Sequence, residues 1–145
     1  MRVLHSTPFP SNFTWRWGHI RGGTPSVLIT PPGAHGPKYL AFFHSQARPH
    51  HKGVKTYFMG AYLFSPDPPF AITHVTPEPL VPPGHMYNET ELGWTYPNLD
   101  FVVFPMGLVL LDAATLALSL GVNDNRCYIV EMGLDALVNN MTRVG

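Results

Sequence analysis

The sequence predicts an all-β chain, with about two propeller-like blades of short antiparallel strands and a short C-terminal helix. Three observations carry this expectation. Sixteen prolines and 13 glycines are spread along 145 residues, a spacing that breaks long helices and suits short strands joined by turns. Short aromatic and aliphatic runs stop repeatedly at Pro- and Gly-rich turns. The longest run is apolar on both of its faces, which a sheet open to water on one side would not be.

The runs follow in order. Ser26–Thr30 stops at Pro31-Pro32-Gly33, and Lys38–Ser45 forms a second strand. Thr56–Ser65 is the third and closes at Pro66-Asp67-Pro68-Pro69; Phe70–Val75 is the fourth and ends at Thr76-Pro77-Glu78-Pro79. Four such strands in succession predict one antiparallel meander. In the third, Tyr57, Met59, Ala61 and Leu63 point one way and Phe58, Tyr62 and Phe64 the other. That sheet should therefore be covered on both sides, as radially stacked blades are.

Val81–Pro97 is a connection with no sustained period. Phe101–Phe104 and Gly107–Leu111 then flank Pro105, which marks an edge or a bulge. Thr115–Leu120 and Arg126–Glu131 follow, joined through Gly121-Val122-Asn123-Asp124-Asn125, and Leu134–Met141 has the spacing of a short helix. The expected organisation is one partial domain over residues 1–145, with a blade at about 21–80 and a second from about 98. A propeller closes with about 4–8 blades, so further blades or self-association are expected to complete the surfaces.

Composition narrows the function classes. Charged residues make up 12% of the chain and the formal net charge is zero, which removes the electrostatic footprint of a nucleic-acid binder. The longest apolar stretch, Leu99–Leu120, is broken by Asp100, Pro105, Gly107 and Asp112, whereas a spanning helix needs about 20 apolar residues. No membrane association is expected. Cys127 is the only cysteine, which excludes an intrachain disulfide and a cysteine-rich zinc site. The first residues hold no apolar core of signal-peptide length, so a cytoplasmic location is expected. Sequons at Asn12, Asn88 and Asn140 matter only on the secretory route. Nucleophile-elbow, P-loop and dinucleotide fingerprints are absent from the sequence, and no cofactor is expected.

Five stretches in register resemble glycoside hydrolase family 130, the mannoside phosphorylases and related β-mannosidases. They are Arg21-Gly22-Gly23-Thr24-Pro25, Leu40-Ala41-Phe42-Phe43-His44-Ser45, Tyr57-Phe58-Met59-Gly60-Ala61, Val102-Val103-Phe104-Pro105-Met106-Gly107 and Leu120-Gly121-Val122-Asn123-Asp124. The resemblance covers most of residues 19–131. It implies a five-bladed propeller, here partial, an oligosaccharide or glycoside as ligand, and inorganic phosphate as co-substrate in a phosphorolytic branch. The chain departs from the family at Phe43-His44-Ser45, where Tyr-His-Gly is usual, and at Gly121-Val122-Asn123-Asp124, where Gly-Ala-Ala-Asp or similar is usual. The family's general acid and several phosphate-binding arginines precede the matching region, so the resemblance implies no general acid in this chain.

By the same resemblance His44 contacts phosphate, Asp124 holds sugar hydroxyls, Phe104 lines the sugar pocket, and Arg21 lies beside the family's lysine position. The residues themselves leave alternatives open. His44 ends an apolar strand, from which an imidazole can donate to an oxyanion or bond a backbone carbonyl. Asp124 suits a tight hairpin turn as well as a sugar contact. Arg21 precedes two glycines that allow close approach to a ligand, and His19 competes for that role. Arg48, His50, His51, Lys52 and Lys55 form a basic loop, able to gather phosphate or to remain solvated. No metal site is expected there, because carboxylate and cysteine ligands are missing at the required spacing. Trp15, Trp17 and Trp94 either stack on sugar or cap a core. Asp100, Asp112, Asp124 and Glu131 form no obvious pair of the kind hydrolysis requires. A non-catalytic sugar-binding or assembly module, or a truncated product, is the alternative reading.

Overall fold

The computed structural model describes residues 2–3, 5–33, 36–47, 56–80, 102–124 and 126–145. Its strands are β1 (His19–Gly23), β2 (Val27–Ile29), β3 (Lys38–Ala47), β4 (Thr56–Phe64), β5 (Ile72–Val75), β6 (Val103–Leu110), β7 (Thr115–Val122), β8 (Arg126–Gly133) and β9 (Thr142–Arg143). One helix, α1 (Leu134–Asn139), lies between the last two. The connection from Val81 to Pro97, Trp94, Asp100 and the basic loop from Arg48 to Lys55 lie outside the described residues.

All strand pairs are antiparallel, and they form two sheets. The first runs β1-β3-β4-β5-β9, with β2 also paired to β3; the second runs β6-β7-β8. The expected meander is thus present as β2-β3-β4-β5. β1 and β2 tile one edge of β3, β1 against its His44 half and β2 against its Lys38 half. Between them Thr24 replaces a ladder rung: its N–H donates to the Phe42 carbonyl at 3.1 Å, and its hydroxyl accepts the Phe42 N–H at 3.0 Å. Pro25 follows with no N–H to offer, so the edge breaks there.

One core lies between the two sheets. Leu40, Phe42, Met59, Ala61 and Leu63 face Val103, Leu116, Leu118, Leu120 and Val122 across it, with Leu134 and Leu137 of α1 closing one side. β7 alternates strictly between buried and half-buried positions, as a strand with one core face should. Pro105 is buried, and the register of β6 against β7 shifts between Pro105 and Gly107. The expected bulge is there, on an edge strand, where a residue without N–H does least harm.

The second apolar face of β3 and β4 is covered as well, although by a different element from the one expected. Phe43 and Val75 pack with Val144 and with Phe9, Phe13, Trp15, Ile20 and Tyr62. The cover is therefore the chain's own N-terminal segment. Trp15 meets Phe43 edge-on at 4.9 Å, and its Nε1–H donates to Ser45 Oγ at 2.7 Å, whose hydroxyl donates to the Trp17 carbonyl at 2.7 Å. Of the two readings of Trp15, the core cap is the one seen.

The chain ends by returning to the first sheet. β9 pairs with β5 through His74↔Arg143 and Val75↔Thr142, and the Val144 N–H donates to the Thr73 carbonyl at 2.9 Å. On the outer face of the second sheet no described element packs: Val109 and Leu111 are exposed there, and Ile129 is 71% exposed. Among the described residues no helix is long and apolar enough to cross a membrane.

Candidate functional site

The site begins at an irregularity in β1. Arg21 pairs with His44 across the β1–β3 ladder, but the next pair is Gly23↔Phe43, so Gly22 is an extra residue. A β-bulge of this kind takes one residue out of the ladder. The Gly22 carbonyl, released in this way, receives the His44 Nδ1–H. Gly23 completes the geometry, since a Cβ there would overlap the Phe42 carbonyl oxygen. The glycine pair thus serves close backbone approach, and what it approaches is β3.

His44 shares its face of β3 with Leu40 and Phe42, because side chains two apart point the same way. It is buried, at 8% exposure, at the end of the inter-sheet core. Tyr57 of β4 stacks near its ring at 5.8 Å and 12°, and Phe104 of β6 lies tilted against it at 4.4 Å and 45°. Arg21 is exposed beside it. The site therefore draws one residue from each of four strands in two sheets.

The protonation state follows from these contacts. Burial pulls the His44 pKa below its ordinary 6.5; the bond to Gly22 acts in the opposite direction, and the nearby positive charge of Arg21 lowers it further. The imidazole is accordingly neutral at pH 7. A carbonyl can only accept, so the hydrogen sits on Nδ1 and the Nε2 lone pair remains as an acceptor. Neutral His44 can bind a hydroxyl hydrogen or take a proton, and it contributes no positive charge to an anion. Among the described residues no carboxylate acts on it.

Asp124 occupies the β7–β8 turn. Asn123 and Asp124 have φ of +50° and +53°, the left-handed region that Asn and Asp tolerate better than most residues. Asn123 clamps the start of β6: its Oδ1 accepts the Val102 N–H at 3.0 Å, and its own N–H donates to the Val102 carbonyl at 2.9 Å. The turn role open to Asp124 is thereby seen, and its carboxylate is exposed. Since Val103 pairs with Val122 and Phe104 with Gly121, this turn stands at the end of the second sheet from which Phe104 projects.

The remaining acids singled out from sequence that are described are dispersed. Asp112 lies in the β6–β7 turn, where the Ala114 N–H donates to its Oδ1 at 2.7 Å. That bond, with smaller help from Thr115, lowers its pKa. Asp112 and Asp124 thus stand at opposite ends of β7, on the order of 25 Å apart by strand rise, too far to flank one glycosidic bond. Glu131 is exposed on β8. Among the described residues no three His, Cys, Asp or Glu side chains gather as metal ligands would.

Of the four residues singled out from sequence, Arg21, His44 and Phe104 come together through strand pairing and ring contact, and Asp124 joins them only through the hairpin. His19 opens β1 opposite Gln46, which itself pairs with Tyr57, so it shares the His44 face one row further along, and it is exposed. Two members were missed. Tyr57 reads in sequence as an ordinary strand aromatic, although its odd-numbered face is the one His44 shares once β3 and β4 are paired. The Gly22 carbonyl becomes available only through the bulge. No family model, curated protein or solved structure matches this chain.

Proposed function

We propose that this chain is part of a carbohydrate-active protein of the mannoside phosphorylase and hydrolase type, acting on β-mannosidic glycosides. Its two sheets would be about two blades of a partial five-bladed propeller. The observation that carries the reading is the buried His44 imidazole against the Phe104 and Tyr57 rings, with the Arg21 guanidinium across the ladder. Aromatic rings offer an apolar platform to the C–H face of a pyranose. Nε2 of His44 accepts from a sugar hydroxyl, and Arg21 donates to sugar or phosphate oxygen. Asp124 at the neighbouring turn would take a further hydroxyl.

A phosphate contact by His44 has a specific form in this reading. With Nδ1–H committed to Gly22, Nε2 meets phosphate by accepting a hydrogen from a P–OH, and Arg21 carries the charge. The exposed apolar residues on the outer face of β6–β8 would be covered by a further blade or by a second copy of the chain. A non-catalytic sugar-binding module is the second reading, in keeping with the wide separation of Asp112 and Asp124 at opposite ends of β7.

Incubation with β-mannosides and inorganic phosphate, following mannose 1-phosphate and free mannose alongside calorimetric binding, separates these readings. Binding with turnover supports the enzyme, and binding without it supports the module. Failure to bind any β-mannoside contradicts both.

A further inference from the structure

A second group of polar side chains lies at the other end of the first sheet, six residues along β3 from His44, or about 20 Å by strand rise. Cross-strand pairing aligns Leu40 with Leu63, Leu63 with His74, and His74 with Arg143. Residues directly opposite share a face, and Lys38 shares it too, two positions before Leu40. The return of β9 thus brings Arg143 beside His74 on the face that Lys38 shares. These three line a cavity of about 520 Å³, with Pro32, Ile72 and Val138 among its apolar walls.

The group is unbalanced in charge. Burial lowers the His74 pKa, and the positive charges of Arg143 and then Lys38 lower it further, with no carboxylate side chain among the described residues opposing them. His74 is held in place by its own strand: Nδ1 lies 3.0 Å from Thr73 Oγ1, and the Thr73 hydroxyl donates to the Leu63 carbonyl at 3.4 Å. Nδ1 therefore carries the hydrogen and donates to Oγ1. Nε2 is left as the group able to accept from a P–OH.

We propose that this cavity binds phosphate, free or as a small monoester. Lys38 supplies a point charge and Arg143 a forked donor, a combination suited to an oxyanion of two charges. Pro32, Ile72 and Val138 form the wall along which the carbon portion of a monoester would lie. The cavity volume falls within the range of small-molecule sites. This site is separate from the His44 site and does not depend on it.

The test uses the intact chain with labelled histidine at about 0.15 M salt, where non-specific surface attraction is screened. Inorganic phosphate and glucose 1-phosphate are titrated in turn, and the imidazole resonances of His74 and His44 are read in the same spectra. Saturable movement of His74 is expected with at least one probe. Lys38→Gln, at a half-buried position, and Arg143→Gln, at an exposed one, should each weaken it about tenfold, the loss of one charge-assisted hydrogen bond. Arg21→Gln should leave it unchanged. Tighter binding of the ester identifies a monoester site, and equal binding a site for free phosphate. An unmoved His74, or a response indifferent to both Lys38→Gln and Arg143→Gln, overturns the proposal, as does a response lost only in Arg21→Gln.

Discussion

Arg21 and His44 stand directly opposite each other across the β1–β3 ladder, one residue before the bulge whose Gly22 carbonyl receives the imidazole hydrogen. One backbone irregularity therefore sets the rotation and tautomer of His44 and places a guanidinium beside it. The two glycines that follow Arg21 carry this arrangement in different ways, and they should respond differently to substitution. Gly23→Ala sets a Cβ into the Phe42 carbonyl, backbone against backbone, and should cost about 1–3 kcal/mol. Gly22→Ala meets nothing within 4 Å and should fall within about 0.5 kcal/mol of the parent. Urea unfolding of the two variants measures the contrast.

Acid should destabilise the fold through the buried imidazole of His44 and the half-buried one of His74. The pKa values of His44 and His74 lie below the ordinary 6.5 in the folded chain, so the unfolded chain takes up these protons first. Stability is full above about pH 6.5 and falls as pH drops from there through the lower folded values. His44→Gln should reduce the fall without abolishing it, because His74 still contributes. Urea midpoints at about pH 7.5 and pH 5 for parent and variant give the comparison; equal losses in the two would contradict it.

Ser45 joins the N-terminal cover to β3 by accepting from Trp15 and donating to Trp17. Ser45→Ala removes both bonds at a buried position and should cost about 1–3 kcal/mol. Trp15 would lose the partner of its indole N–H, so tryptophan emission should also shift. Unchanged emission and stability would mean that the segment is not held through this hydroxyl.

Gly60 tests the same cover from below. A Cβ there would enter the Phe43 ring, which is itself packed by Trp15 and Phe9. Gly60→Ala should cost about 1–3 kcal/mol and weaken near-ultraviolet aromatic dichroism. The His44 face of the sheet points the other way, so the imidazole signal of His44 should persist.

Much of the fold is legible in the residues. Proline and glycine mark the strand ends, the two apolar faces of β4 require double cover, and Pro105 forecasts the bulge in β6. The identity of the second cover is not legible, because Phe9, Phe13 and Trp15 carry no strand period and are recruited only through Phe43. β9 has two residues in the ladder, too few to leave a pattern, although it places Arg143 beside His74. At the site, residue chemistry singles out Arg21, His44 and Phe104. Register is what makes them neighbours, and it adds Tyr57 and the Gly22 carbonyl. Asp124 shows the limit of residue type, since one carboxylate satisfies turn geometry and sugar recognition equally well in sequence.

The sugar-holding role of Arg21, His44 and Phe104 is tested most directly by titrating the intact, histidine-labelled chain with β-1,4-mannobiose while following the His44 Nε2 resonance. A saturable shift is predicted, weakened about tenfold in Phe104→Ala and in Arg21→Gln. A His44 resonance that does not move with the sugar, or that moves in both variants with the affinity of the parent, would contradict the account.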